Sequence, residues 1–383
     1  MIPFTKIVSG KATVSKKLLY KSDEEIPTEF VKWSKSAVPI IVWNITWRCN
    51  LNCNHCYAKF DKSEVSTNQA KSIVDDLADF GVPLILFSGG EPLLRSDLFE
   101  IAEHAKDSGI SCILSTNGTL INDKIAKRLE IFDYVGVSID GDKVTHDSFR
   151  GIKGSFDLAV KGIKLLVDNE IPAGVRYTLT KHNFKALDFV LDFTENYEIP
   201  RFCLYHLVPT GKASFELDVD NDVRKKVIDK LIKKTFKFEE KGINTEILTV
   251  DNPADGVYLY LKLKQIDEGL AKKALKFLKY RGGDKSGYKI GAIDPKGFVH
   301  PNQFWYDYVL GDLKKTRFED IWIKNEDKLL YMLRNKEKYL RGKCGSCKFK
   351  EICGGFRLRA YRAGDLWGTD PSCYVDYTLA LNA

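Results

Sequence analysis

The chain has 383 residues, 44% hydrophobic and 12% aromatic, enough to bury a sizeable core in one large barrel or two domains. Its 59 Lys and Arg against 52 Asp and Glu give a net charge of +7, which admits an anionic small molecule, while no basic block interleaved with aromatics argues for nucleic acid. No run approaches the roughly 20 apolar residues of a membrane span and no signal core opens the chain; seven of the nine cysteines fall in two tight groups, which reads as metal ligation in a reducing, cytoplasmic compartment rather than a disulfide framework.

Residues 1–37 are mixed in pattern and read as an N-terminal extension. From 38 to 215 the chain alternates short β-branched runs with amphipathic stretches. Strands are predicted over 39–46, 83–88, 110–115, 134–139, 172–180 and 201–208. Between them, helices are predicted over 68–80, 97–108, 122–130, 156–168 and 184–194; the first carries Ala70, Ile73, Val74 and Leu77 on one face, with Gly81 as its stop. Alternation at this interval predicts an α/β fold, with parallel strands, right-handed crossovers and chemistry at the strand C-terminal ends. Cys112 and Cys203 fall inside strand patterns and read as small apolar core residues.

Residues 216–300 read as a helical and hairpin linker. It opens on a Lys-rich helix over 219–242 whose apolar stripe includes Val223, Val227, Ile228, Leu231 and Ile232, its charges forming a solvated face. A strand-like run at 245–250, an amphipathic segment at 257–280, a glycine-rich turn at 281–287 and a hairpin at 289–300 follow. Residues 301–383 form a C-terminal unit that becomes cysteine- and glycine-rich from Lys343 onward.

The first cysteine group lies in the run VWNITWRCNLNCNHCY, where Cys49, Cys53 and Cys56 have the spacing C-x3-C-x2-C directly after a β-branched run. Three thiolates can hold three irons of a 4Fe–4S cluster and leave the fourth iron open; a zinc knuckle completed by His55 or a distant residue is the alternative. The spacing resembles the radical S-adenosylmethionine (SAM) superfamily, in which the open iron chelates the amino and carboxylate groups of SAM. The second strand runs into Ser88-Gly89-Gly90-Glu91-Pro92 one βα unit later, as that resemblance requires. It implies a partial (β/α)6 barrel in which Gly89, Gly90 and Glu91 hold the SAM amino group, Ser138 and Arg150 meet its carboxylate, Asn117 lies near the ribose and His55 borders the adenine.

The second group, Cys344, Cys347, Cys353 and Cys373, is spaced C-x2-C-x5-C-x19-C, and four thiolates saturate either a structural zinc or a closed 4Fe–4S cluster. The surrounding run resembles the auxiliary-cluster domains of SPASM and twitch radical SAM proteins, which implies one auxiliary 4Fe–4S cluster. The segments RFCLYHLVPTGKA, GAIDPKGFVHPNQFW and the terminal GGFRLRAYRAGD narrow the resemblance to the tetrapyrrole-modifying enzymes of sirohaem-dependent haem and haem-d1 biosynthesis, nearest the didecarboxysirohaem deacetylase group. That implies removal of acetate side chains from didecarboxysirohaem to give iron-coproporphyrin III through a 5′-deoxyadenosyl radical, with electrons from a donor such as ferredoxin or flavodoxin. A haem-d1 enzyme and a SPASM-type peptide or protein maturase are the other readings. A polycarboxylate iron tetrapyrrole asks for Arg and Lys, and Arg176, Lys212 and Arg357 are the candidates, with Tyr205 and His206 at the end of the sixth predicted strand reaching the macrocycle. Strand alternation lets at most one of those two point inward; His206 is favoured, as axial iron ligand or proton donor, against a hydrogen-bonded core histidine.

Overall fold

A β-branched run that is buried on both faces has no polar alternation to show, and Ile40–Thr46 is such a run, buried along all but its first residue. The computed structural model describes residues 1–10, 28–58, 61 and 63–376, so 11–27 of the expected N-terminal extension lie outside the described residues. Its strands are β1 (Ile2–Pro3), β2 (Ile40–Thr46), β3 (Leu84–Gly89), β4 (Ser111–Thr116), β5 (Tyr134–Ser138), β6 (Ala173–Leu179), β7 (Arg201–His206), β8 (Glu246–Val250), β9 (Ile290–Ile293), β10 (Phe298–His300) and β11 (Gly311–Asp312). Strands β2 to β7 are the six that the sequence predicts.

They belong to one sheet in the order β1-β8-β7-β6-β5-β4-β3-β2-β9-β10-β11. Every neighbouring pair from β2 to β8 is parallel, so all seven C-terminal ends lie on one rim, as in a partial (β/α)6 barrel. Helices supply the crossovers and bury one stripe each. In Thr67–Asp79 that stripe is Ala70, Ile73, Val74 and Leu77, and Ser66 with Gln69 closes a capping box at its start.

Within 216–300, the sheet takes in more than a linker would give it. Helix Asn221–Glu240 is a further crossover, which brings β8 parallel to β7. On its outer side Lys230, Lys234 and Lys241 pair with Asp188, Asp192 and Glu195 of the preceding crossover helix, so the basic face is a solvated ion-pair surface. At the other edge β9 pairs parallel with β2 and continues through the β9–β10 hairpin to β11, carrying the C-terminal region on the same sheet. Cys112 and Cys203 are buried within β4 and β7.

Strands β7 and β8 are joined at their first residues by a buried ion pair, the Arg201 guanidinium donating to Glu246 Oε2 at 2.7 and 2.9 Å. Removing one partner strands a charge in the interior. Glu246→Ala should lower the free energy of unfolding by on the order of 3 kcal/mol, read from chemical denaturation.

Candidate active site

One cavity is lined from every strand end between β2 and β8. The loop after β2 gives Cys49, Cys53, His55, Cys56 and Tyr57, β3 gives Ser88 to Gly90, β4 gives Ser115 to Asn117, and β5 gives Ser138. Arg176 and Thr178 come from β6, Tyr205 and His206 from β7, and Asp251 from the residue after β8. Phe304 closes it from the C-terminal region.

The cysteine loop is pinned through its backbone from three sides. Gly90 N donates to Thr46 O at 2.8 Å and Glu91 N to Arg48 O at 2.7 Å. Asn52 N and Asn54 N donate to Arg150 O and Phe149 O, and Lys212 N donates to Cys56 O at 2.8 Å. These contacts require glycine. A Cβ on Gly90 would sit 2.2 Å from Arg48 O, and one on Gly211 would sit 2.5 Å from Cys56 O. The His55 ring stacks on Phe149 with centroids 4.0 Å apart, so it packs rather than reaching toward the sulfurs. Burial pushes the Cys49 thiol up to about 11 and raises that of Cys56 as well. Such groups become thiolates once a metal supplies the compensating charge.

Arg150 is fixed behind the loop. Its Nε donates to Asp140 Oδ2 at 2.7 Å, and Nη1 reaches Cys53 Sγ at 3.7 Å. Asp140 also accepts from Thr178 N at 2.9 Å, and despite burial the Arg150 guanidinium holds its carboxyl below the usual range. Glu91 is fully buried and does not line the cavity. Its carboxylate accepts from Thr116 Oγ1 and Asn117 N, both at 2.7 Å, and from Leu93 N at 3.1 Å, tying the ends of β3 and β4 together. Asn117 is held in turn by Nδ2 donating to Asn50 Oδ1 at 2.9 Å.

The residues expected to meet the substrate separate into two sets. Arg176 and Tyr205 line the cavity, with the guanidinium 4.2 Å over the tyrosine ring. Among the described residues the Arg176 guanidinium makes no hydrogen bond or ion pair. His206 corrects the reading that favoured it. Its Nε2 bonds Asp255 Oδ2 at 2.7 Å and its Nδ1 bonds the Arg224 guanidinium at 2.8 Å, so neither ring nitrogen is available to an iron. Arg357 is also a correction: it is buried away from the cavity, Nη1 donating to Leu366 O and Gly368 O and Nη2 reaching Cys344 Sγ at 3.6 Å. The exposed Lys212 braces the cysteine loop, Nζ donating to Asn52 Oδ1 at 2.5 Å. Asp251 and Asp140 were given no role in the sequence; their signal is position alone, one directly after β8 and the other two residues after β5.

The second cysteine group forms its own pocket, lined by all four thiols with Gly354, Gly355 and Asp370. Gly355 N donates to Cys353 Sγ at 3.4 Å, and Asp370 orders the chain by accepting from Phe356 N and Ser372 N. A Cβ on Gly355 would come 3.3 Å from Cys344 Sγ, so glycine keeps the pocket open. Among the described residues, no three His, Cys, Asp or Glu side chains are grouped to hold a metal ion directly. Both groups instead offer sulfurs around a space, with N–H donors aimed at them, which suits an iron–sulfur cluster.

Comparison with known proteins agrees with this geometry. Residues 43–193 match the radical SAM superfamily and residues 286–348 match an iron-sulfur cluster-binding domain, SPASM. The Fe-coproporphyrin III synthase of Methanosarcina barkeri is 40% identical over 389 residues, covering 98% of this chain and 98% of that protein. The pre-heme d1 synthase of Dinoroseobacter shibae is 38% identical over 88% of this chain and 86% of its own. In fold, Streptococcus suis SuiB bound to its precursor peptide SuiA superposes with a TM-score of 0.71 at 18% identity, covering 91% of this chain and 78% of that one.

Reconstitution with iron and sulfide should load about eight irons per chain, two clusters of four. Replacing Cys49, Cys53 and Cys56 together by alanine should leave about four, as should replacing Cys344, Cys347 and Cys353. Gly90→Ala should keep both clusters yet weaken SAM binding by about tenfold or more, read by equilibrium dialysis, because the added methyl must displace Arg48 O.

Proposed function

This chain belongs to the radical SAM superfamily and carries its SPASM iron–sulfur domain, and we propose that it removes acetate side chains from didecarboxysirohaem to give iron-coproporphyrin III. The observation that carries this reading is Arg176. A guanidinium brought to the cavity from β6 with no acceptor of its own is costly unless a bound anion supplies one. A tetrapyrrole with carboxylate side chains supplies several, and guanidinium fits a carboxylate bidentately. The full-length similarity to Fe-coproporphyrin III synthase supports the same class of substrate.

When bound, the first cluster and SAM supply a 5′-deoxyadenosyl radical by one-electron reductive cleavage. The protein's own work is placement. The backbone of Gly89 and Gly90 would meet the amino end of SAM, with Glu91 fixing the strand ends beneath them. Ser138 and Arg150, which line the cavity, would meet its carboxylate, Asn117 its ribose and His55 its adenine. Arg176, braced by the Tyr205 ring, would hold a substrate carboxylate and so orient the side chain to be lost within the cavity. His206 does not touch the iron. Pinned between Asp255 and Arg224, it ties β7 to the two helices that flank β8. Reducing equivalents come from a low-potential donor such as ferredoxin or flavodoxin, and the fully cysteine-ligated second cluster suits relay of electrons. Among the described residues no helix is long and apolar enough to cross a membrane.

Anaerobic incubation of the reconstituted protein with SAM, a reductant and didecarboxysirohaem should give 5′-deoxyadenosine and iron-coproporphyrin III, identified by mass. Deoxyadenosine with an unaltered porphyrin overturns the substrate, and a product keeping its acetates but altered elsewhere indicates haem-d1 chemistry. Arg176→Met should raise KM for the tetrapyrrole by about tenfold or more, with the iron content unchanged. His206→Gln should leave the absorption spectrum of the bound iron tetrapyrrole as in the wild type.

A further inference from the structure

Asp251 is one of three described non-glycine residues with positive φ. The other two, Glu170 (+56°) and Glu198 (+49°), follow helix ends, whereas Asp251 (+66°) follows a barrel strand. Glutamates just past a helix end are turn residues. Asp251 instead lines the cavity beside Arg176, Tyr205 and Leu207, and borders a second, smaller pocket with Met1, Asn252 and Asp284. The left-handed turn is held from behind by Arg359, fully buried, whose Nη2 donates to Asp251 O at 2.8 Å and to Leu207 O at 3.1 Å. The carboxyl oxygen Oδ2 is buried and has no hydrogen-bond partner among the described residues. No ion pair joins Asp251 to Arg176 although both border the same space.

Among the described residues, a buried carboxyl oxygen without a donor and a guanidinium without an acceptor border one cavity unpaired with each other, which leaves room for a ligand between them. The ligand is anionic on the reading above, and an ionised Asp251 would repel it. An un-ionised carboxyl would instead present an O–H, and O–H to carboxylate bonds are among the stronger hydrogen bonds. We propose that Asp251 is a substrate-binding residue, its carboxyl donating a hydrogen bond to a tetrapyrrole carboxylate alongside Arg176; this rests on the tetrapyrrole reading of the site. Burial pushes the Asp251 carboxyl up to about 6, against the pull of Arg359 and Arg176 and with the push of Asp284, while the nearby Met1 amine is itself pushed down to about 4 by burial; a substrate carboxylate placed beside Asp251 raises it further. The left-handed backbone suits Asn and Gly as well as Asp, so both variants remove or replace the O–H without straining the turn.

The test titrates holoprotein, carrying both clusters and SAM, with iron coproporphyrin III, a tetracarboxylate, and follows the shift of its main absorption band. Asp251→Asn keeps a neutral donor and should bind within about threefold of wild type, whereas Asp251→Gly should bind about tenfold more weakly. Cluster absorption and SAM binding should be equal in all three. An Asp251→Gly affinity equal to wild type, or an Asp251→Asn loss as large as that of Asp251→Gly, overturns the proposal while leaving the tetrapyrrole reading intact. Failure of the wild type to bind any iron tetrapyrrole overturns both.

Discussion

Eight neighbouring strands, β2 to β8 with β9 beside β2, run in one direction, and the site exists because seven of them end around it. Parallel pairing from β2 to β8 puts the last residue of each strand on the same rim. Residues as distant in sequence as Cys49 and Asp251 then border one cavity without any local sequence relation. What remains is to stop the loops that leave the rim from moving. The protein does this with backbone contacts so close that only glycine permits them: Gly90 against Arg48 O and Gly211 against Cys56 O hold the cysteine loop between β3 and the segment after β7. Side chains enter behind this frame. Glu91 spans two strand ends, and Arg150 is locked by Asp140 while still reaching a cysteine sulfur.

Features set by local pattern were legible in the sequence. The six core strands are apolar runs, most of them buried along nearly their whole length although β4 alternates, and the helices between them show an apolar stripe. Both cysteine groups declare themselves by spacing. The joining of β8 and β9 to opposite ends of that parallel set was not legible. Pairing between segments far apart in the chain leaves no periodicity to read, and the strand-like run at 245–250 carries no sign of the neighbour it will take.

Side-chain roles were less legible still, for the same reason. Alternation along β7 could say that Tyr205 and His206 differ in direction, but not which of them would find polar partners in the interior. Asp255 and Arg224 settle that for His206, and both come from helices beyond the strand. Arg357 has the composition of a substrate ligand and the surroundings of a structural one, with two carbonyls and a cysteine sulfur taking its donors. Nothing in the sequence marks Asp251, and only the fold shows which space it borders.

Arg359 has a consequence for how such proteins diverge. It holds two carbonyls of the cavity wall, Leu207 and Asp251, while its Nη1 lies 3.3 Å from Asp370, a residue seated in the second cysteine pocket. The terminal segment is therefore a cast against which the barrel mouth is set. Transplanting that segment from a relative with another substrate would reshape the mouth even where every barrel residue stayed the same.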